Sequence, residues 1–175
     1  DMKLIVPKAT AKKLISMGVI DDVTLTYTKN SAVFKSDEYT IYTRLITGNY
    51  FPYQKMFTEG EINTCASRTA LIGAMIRAKM CTEEKQPAVF RIEDDVLNIS
   101  IRDKLADYQE QVPLQETVCK SIRLGFDSKL VLETLKAFTC DNIALGFTSP
   151  RTPMIVEAED SDMKAMVLPV AIREA

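Results

Sequence analysis

Residues 127–147, DSKLVLETLKAFTCDNIALGF, contain the pattern from which the fold is predicted. Asp127 is a residue type that caps helix N-termini, and the residues after it favour a helix that ends before a strand over 141–147. Residues 7–27 repeat this order. At a constant offset of 120 residues two sets of positions match, namely Asp21, Asp22, Val23, Leu25 and Tyr27 with Asp141, Asn142, Ile143, Leu145 and Phe147. Such a period indicates that one supersecondary unit is used more than once.

The first unit is predicted as a helix followed by an antiparallel meander. Pro7 suits the first helical position and Gly18 suits a helix end, so the helix covers residues 7–18. Three segments with alternating or β-branched residues follow, separated by short turns: 23–29, 32–36 and 39–46. One helix and three strands make a half-domain that is too small to be stable alone. Either it packs on another copy of this chain, or the chain is a fragment of something longer.

The second unit is predicted to open with a long helix over residues 61–84, with Thr64 or Ser67 as its N-cap. Three strands follow, over residues 88–94, 95–103 and 120–126. The residues EDD at 93–95 are predicted as a tight turn between the first two strands. A polar link over 104–117 has room for a further irregular strand. After the helix that Asp127 starts, the predicted strands are 141–147, 153–158 and 164–172.

The fold class that follows is α+β, built from repeated units of a helix plus antiparallel strands, with helices on one face and sheets on the other. The stretch 47–60, TGNYFPYQKMFTEG, contains Gly48, Pro52 and Gly60 and is the predicted boundary. We therefore expect a first domain over residues 1–51 and a second over residues 52–175.

Composition excludes several classes of function. The chain has 175 residues, is 46% apolar, and has no apolar run near the roughly 20 residues that cross a bilayer. It lacks the pattern of a signal peptide, so we expect a cytoplasmic protein. Without histidine, Ser-His and Cys-His nucleophile pairs are impossible within the chain. No Gly-rich phosphate loop is present, and no cofactor is expected.

Cysteines and acidic pairs are interpreted as structural. The four cysteines are widely spaced with no CxxC, so we expect reduced, mostly buried thiols and no metal site: Cys65, Cys81, Cys119 and Cys140. The acidic pairs are expected in turns, although a metal or acid/base pair is the other interpretation: Asp21-Asp22, Asp37-Glu38, Glu83-Glu84 and Asp94-Asp95.

Charge is sorted along the chain although the net charge is only −2. The first predicted helix carries Lys8, Lys12 and Lys13 and no acidic residue. The second carries Arg68, Arg77 and Lys79, with no acidic residue before Glu83. The third is balanced, with Lys129 and Lys136 against Asp127 and Glu133. Two acid-free helices suggest surfaces that face a polyanion, and the alternative is a solvated basic face. Aromatic residues are not interleaved, which favours duplex backbone over stacked single strands.

Five segments occur in the order seen in the bacterial sliding clamps, the beta subunits of DNA polymerase III: LIVPK, YTRLITGNYFPY, RAKMCTEEKQPAVFRI, LGFDSKLVLETLKAF and MVLPV. The chain resembles the second half of that family's middle domain, residues 1–51, joined to its complete C-terminal domain, residues 52–175. The resemblance implies a DNA-clamp fold and a non-enzymatic processivity factor. It also implies that the full-length protein is a head-to-tail homodimeric ring around duplex DNA, without sequence readout.

The resemblance also implies two sets of site residues. Basic side chains on helices that line the central hole would attract phosphate: Lys8, Lys12, Arg77 and Lys136. A hydrophobic groove would receive short peptide motifs of the DNA polymerase III alpha subunit, the clamp loader and repair proteins. Its wall would be Met166, Leu168, Pro169, Val170 and Ile172, its interdomain side Phe51 and Met56, and its floor and edge Asp127, Leu130 and Pro153. Alternatives are a clamp-like peptide-binding adaptor that never surrounds DNA and an unrelated enzyme with paired carboxylates.

The chain departs from the family pattern at three places. Pro52 in Phe51-Pro52-Tyr53 is shifted by one position, Ala88 replaces a usual glycine, and Ala171 replaces an arginine that commonly ends the family's sequence. The loss of that arginine puts one polar contact at the rim of the groove in doubt.

Overall fold

The computed structural model describes residues 2–18, 22–81, 86–102, 107–158, 160 and 162–172. The chain divides into two compact units, Asp1–Pro52 and Tyr53–Ala175. The described residues combine α-helices with antiparallel sheets, which confirms the predicted α+β class. The described part excludes Asp21 of the sequence repeat and the acidic pair Glu83-Glu84.

The first unit has the predicted helix and meander. Its elements are α1 (Lys8–Ser16), β1 (Thr24–Tyr27), β2 (Ser31–Lys35) and β3 (Thr40–Arg44), and the strands pair in the order β1-β2-β3. The core of this unit is thin: α1 buries none of its residues fully, while Ala32 on β2 and Leu45 directly after β3 are buried. A hydrogen bond of 2.8 Å joins the hydroxyls of Thr10 on α1 and Thr43 on β3.

In the described residues of the second unit there are a six-stranded antiparallel sheet and two α-helices. After a short 3-10 helix (Tyr53–Met56) its elements are β4 (Ile62–Ser67), α2 (Arg68–Met80), β5 (Ala88–Arg102), β6 (Asp107–Phe126), α3 (Ser128–Ala137), β7 (Asn142–Phe147), β8 (Met154–Ala158) and β9 (Lys164–Val167). The strand order is β5-β6-β4-β7-β8-β9, and α2 packs against α3.

Alternation along the strands explains the core of the second unit. On β7, Ile143, Leu145 and Phe147 are buried while the residues between them are partly exposed, as a strand with one face inward requires. On α3 the buried apolar residues are spaced for one helix face: Val131, Leu132 and Leu135. The rings of Phe90 and Phe126 meet edge to face with centroids 5.2 Å apart.

Ile62–Ser67 form a strand, β4, so the predicted long helix over 61–84 is wrong in its first part. Ile62, Thr64 and Ala66 are buried at a period of two, and β4 pairs with β7 from Ile62 opposite Phe147 onward. Ser67 is the N-cap of α2, because its hydroxyl accepts a hydrogen bond from the backbone N–H of Ala70. Of the two predicted caps, Ser67 is therefore confirmed and Thr64 is wrong.

The predicted tight turn at 93–95 is also wrong, because β5 continues through it. The register shifts on both sides of Asp94, which has a positive φ of 52°, so this residue forms an irregularity in one long strand. From Asp107 onward, the polar link and the third predicted strand are likewise one strand, β6. At the end of the chain β9 stops at Val167, so the predicted strand over 164–172 is too long.

The helices reveal a shorter repeat than the one found in the sequence. They begin at Lys8, Arg68 and Ser128, which are spaced by 60 residues. The offset of 120 residues is therefore two repeats, with one helix unit in the first compact unit and two in the second.

The four cysteines, all among the described residues, form no disulfide, and the expectation that most are buried is wrong. Cys140 is buried, Cys65 and Cys81 are partly buried, and Cys119 is exposed.

Candidate functional site

The end of the described chain crosses the end of β6. The backbone N–H of Val170 donates a hydrogen bond of 2.8 Å to the carbonyl of Gly125, and these two residues form an isolated antiparallel bridge. A Cβ atom at position 125 would lie 2.8 Å from the Val170 carbonyl oxygen and 2.9 Å from a side-chain carbon of Ile172. A residue larger than glycine would therefore displace this segment, residues 168–172, which we call the tail.

Asp127 places the first turn of α3 beside the tail. Its carboxylate oxygen Oδ1 accepts hydrogen bonds from the backbone N–H groups of Lys129 at 2.8 Å and Leu130 at 3.2 Å, so Asp127 is the helix N-cap, as predicted. Because Asp127 follows Gly125 by two residues, the tail crosses next to this cap. The Leu130 side chain, on the same first turn, is half exposed.

Large apolar side chains are exposed around this crossing. Leu168 is 57% exposed, Leu130 50% and Val170 41%, whereas Val167, just before the tail, is 3% exposed. Met166, Pro169 and Ile172 are partly buried. Pro153 directly precedes Met154, which pairs with Val167, so Pro153 lies where the β8–β9 ladder ends near Leu168.

The remaining predicted groove residues lie elsewhere in the chain. Met56 ends the short 3-10 helix of the second unit and is partly buried. Phe51 belongs to the first unit and is exposed.

A polar cleft of about 1310 Å³ lies against the β5–β6 hairpin, and sequence reasoning did not predict it. Arg91 and Arg123, which are opposite each other in the register of the two strands, line it. Ile172 of the tail lines the same cleft. The tail thus lies between the exposed apolar residues near α3 and a polar surface beside β5.

The predicted DNA-facing residues differ in their surroundings. Lys8 and Lys12 are exposed on α1, and Lys136 is exposed in the last turn of α3. Arg77, on α2, is bound instead to a carboxylate: its Nε donates to Oε2 of Glu110 at 2.8 Å, and its Nη2 donates to Oε1 at 2.5 Å.

Tyr108 completes a cluster with Arg77 and Glu110. Its hydroxyl lies within hydrogen-bonding distance of the Glu110 carboxylate and 3.0 Å from the carbonyl of Ala74 on α2. The hydrogen bond from Arg77 holds the pKa of Glu110 below its ordinary value and, in return, raises the pKa of Arg77. Burial, followed by the hydrogen bond to Glu110, raises the pKa of Tyr108 to about 12. Glu110 is therefore a charged carboxylate at neutral pH.

Two structural findings concern other kinds of site. In the ranges that the structure covers, no group of three or more His, Cys, Asp or Glu residues is arranged to hold a metal ion. Within those same ranges, no helix has the length and apolar character needed to cross a membrane.

Solved structures of DNA polymerase III beta subunits share this fold. A putative DNA polymerase III beta subunit from Eubacterium rectale superposes with a TM-score of 0.83 at 24% identity, covering 97% of this chain and 47% of that chain. The DNA polymerase III subunit beta from Pseudomonas aeruginosa gives a TM-score of 0.85 at 19% identity, covering 97% of this chain and 48% of that chain. The fold is that of the DNA clamps.

The family is established by sequence. Residues 56–171 match the family described as DNA polymerase III beta subunit, C-terminal domain, and the chain belongs to that family. The beta sliding clamp of Staphylococcus aureus is 24% identical over 155 residues, which are 86% of this chain and 41% of that protein. The beta sliding clamp of Streptococcus pneumoniae is 21% identical over 180 residues, which are 99% of this chain and 47% of that protein. The chain thus spans less than half the length of these relatives.

Proposed function

We propose that this chain is the C-terminal portion of a sliding clamp, a processivity factor of bacterial DNA replication. In the full protein a homodimeric ring surrounds duplex DNA in the cytoplasm and tethers a polymerase through an apolar peptide groove. Residues 1–51 then correspond to the second half of the middle domain, and residues 52–175 to the C-terminal domain. The role needs no catalytic residue and no cofactor. The family match over residues 56–171 and the names of the relatives support it.

The observation that carries the proposal is the exposed apolar surface where the tail meets α3. Leu130, Leu168 and Val170 together present apolar area to solvent at one end of a well-packed unit. Burial of such area against a partner is favourable, by about 25 cal/mol for each Å² removed from water. Met166 adds a flexible side chain that adapts to different peptide residues. These properties suit short peptides of the polymerase alpha subunit, the clamp loader and repair proteins.

The basic residues on the helices supply the second part of the role. Lys8, Lys12 and Lys136 are exposed, and lysine attracts phosphate at long range as a point charge. Contacts of this kind hold a duplex without reading its sequence, as sliding requires. The tether then raises the effective concentration of polymerase on DNA.

The test of the groove uses a charge placed in its predicted wall. Leu168→Asp should abolish binding of a synthetic clamp-binding peptide from a DNA polymerase III alpha subunit, measured by isothermal titration calorimetry, because the carboxylate loses water on burial. Met80→Asp is the matched control, since Met80 is an exposed apolar residue on α2 outside the groove. Equal peptide affinity for Leu168→Asp and the unsubstituted chain would refute the groove. The alternative, a peptide-binding adaptor, needs the groove but not the lysines, so duplex binding distinguishes the two.

A further inference from the structure

The ion pair between Arg77 on α2 and Glu110 on β6 involves a helix that the proposed function directs towards DNA. The pair is at the surface, with the side chain of Arg77 55% exposed and that of Glu110 24% exposed. Two parallel N–H to oxygen bonds join them, which is the strong, bidentate arrangement of a guanidinium with a carboxylate. A DNA phosphate binds arginine in the same bidentate way. Glu110 and a phosphate therefore compete for one edge of the Arg77 guanidinium.

Gly73 contributes to the position of this guanidinium. A Cβ atom at position 73 would lie 3.2 Å from both Nη1 and Nη2 of Arg77, so the guanidinium folds back over the glycine one turn earlier on α2. Glycine is unfavourable inside a helix, and here it leaves room for the folded-back arginine. The side chain is consequently held along the helix, towards Glu110 on β6.

Tyr108 holds Glu110 from the other side. Its hydroxyl is placed between the Glu110 carboxylate and the Ala74 carbonyl, which links β6 to α2 next to the ion pair. The lowered pKa of Glu110 means that the opposing charge is complete at neutral pH. Arg77 is thus balanced by a fixed negative charge.

We propose that Glu110 is a built-in counter-charge that masks Arg77 and weakens the attraction of α2 for duplex DNA. This inference rests on the proposed function, since it concerns the same DNA-facing surface. A phosphate gains the Nε/Nη2 edge of Arg77 only by displacing the Glu110 carboxylate. Arg77 then has an anionic partner in both states, the Glu110 carboxylate without DNA and a phosphate with DNA. The contact with DNA therefore forms and breaks readily, which suits a protein that slides.

The test measures affinity for a fluorescently labelled DNA duplex by anisotropy at several salt concentrations. Glu110→Gln keeps the shape of the side chain and removes its charge, so it should bind about fivefold more tightly at low salt, with the slope of log K against log salt steeper by about 0.9. Tyr108→Phe, which removes the hydroxyl that fixes Glu110, should give a smaller gain. The gain should disappear when Glu110→Gln is combined with Arg77→Gln.

Glu61→Gln is the matched control, because it removes the carboxylate of another exposed ion pair, with Lys120, and changes the net charge equally. If Glu110→Gln binds DNA no better than Glu61→Gln, the masking is refuted. The proposed DNA role still stands in that case, provided that replacing Lys8, Lys12 and Lys136 with Gln abolishes binding. If neither the unsubstituted chain nor Glu110→Gln binds the duplex at the lowest salt, the attraction of these helices for DNA and its masking are both refuted, whereas the peptide groove is tested separately by Leu168→Asp.

Discussion

The backbone N–H of Val170 donates to the carbonyl of Gly125 at 2.8 Å, and this bond joins the tail to the end of β6. It puts the exposed side chains of the tail beside the turn of α3 that begins after Asp127. The candidate groove thus depends on backbone geometry at a glycine as well as on apolar side chains.

Gly125→Ala should displace the tail and weaken peptide binding at least tenfold. The added methyl would lie 2.8 Å from the Val170 carbonyl oxygen, a distance that forces backbone movement. Calorimetric titration with the peptide measures the affinity, and hydrogen exchange of the Val170 amide reports the lost bond. Ser121→Ala, an exposed position on the same strand, is the control. Normal affinity together with an exchange-exposed Val170 amide would mean that the tail position does not matter.

Asp127→Ala should lower the free energy of unfolding by about 1 kcal/mol, because two N–H groups at the start of α3 lose their acceptor. Asp127→Asn keeps an oxygen in the same place and should retain most of the stability. Urea denaturation of the three proteins measures both changes. A loss as large for asparagine as for alanine would indicate a role of the charge other than capping.

Ile143→Ala should be strongly destabilising, by about 2–5 kcal/mol, because Ile143 is fully buried on β7 and its truncation leaves a cavity. Ile15→Ala removes the same atoms from an exposed position on α1 and should change stability by less than about 0.5 kcal/mol. Thermal unfolding followed by circular dichroism compares the two. Similar melting temperatures for both variants would contradict the burial of Ile143.

The Arg77–Glu110 pair should make stability depend on acid pH. The folded-state pKa of Glu110 lies below its ordinary value of 4.5, so the pair contributes stability above that pH and loses it as the pH falls through the folded-state pKa. The difference in unfolding free energy between the unsubstituted chain and Glu110→Gln should therefore shrink between neutral pH and pH values below 4.5. Urea titrations across this range measure it. A difference that stays constant with pH would exclude the ion pair as its source.

Duplex DNA should bind the chain weakly, without sequence preference and with strong salt dependence, because only backbone charge is recognised. Replacing Lys8, Lys12 and Lys136 together with Gln should remove this binding, as anisotropy at low salt would report. Tight, sequence-specific binding would contradict the proposed function.

Local signals accounted for most of the fold. The helix after Asp127 and the alternating strand of residues 142–147 follow from capping and periodicity, which act between near neighbours in sequence. The same reasoning failed at residues 62–66, because a short strand runs directly into a helix and the helical pattern after Ser67 dominated the interpretation. It failed again at Asp94, because a bulge and a turn favour the same residue types.

The candidate site divides in the same way. Resemblance to the clamp family led to the tail, to Asp127 and to Leu130, and the structure joins the tail to Gly125, two residues before Asp127. The partner of Arg77 was missed, since Glu110 is 33 residues away in sequence and nothing local links them.

The sequence by itself determined the repeated helix-and-strand unit, because capping and alternation act over a few residues. Tertiary structure alone decided that the tail crosses at Gly125 and that Arg77 meets Glu110. Both depend on strands and helices brought together by the buried core, and only the packed chain brings such distant groups within hydrogen-bonding distance.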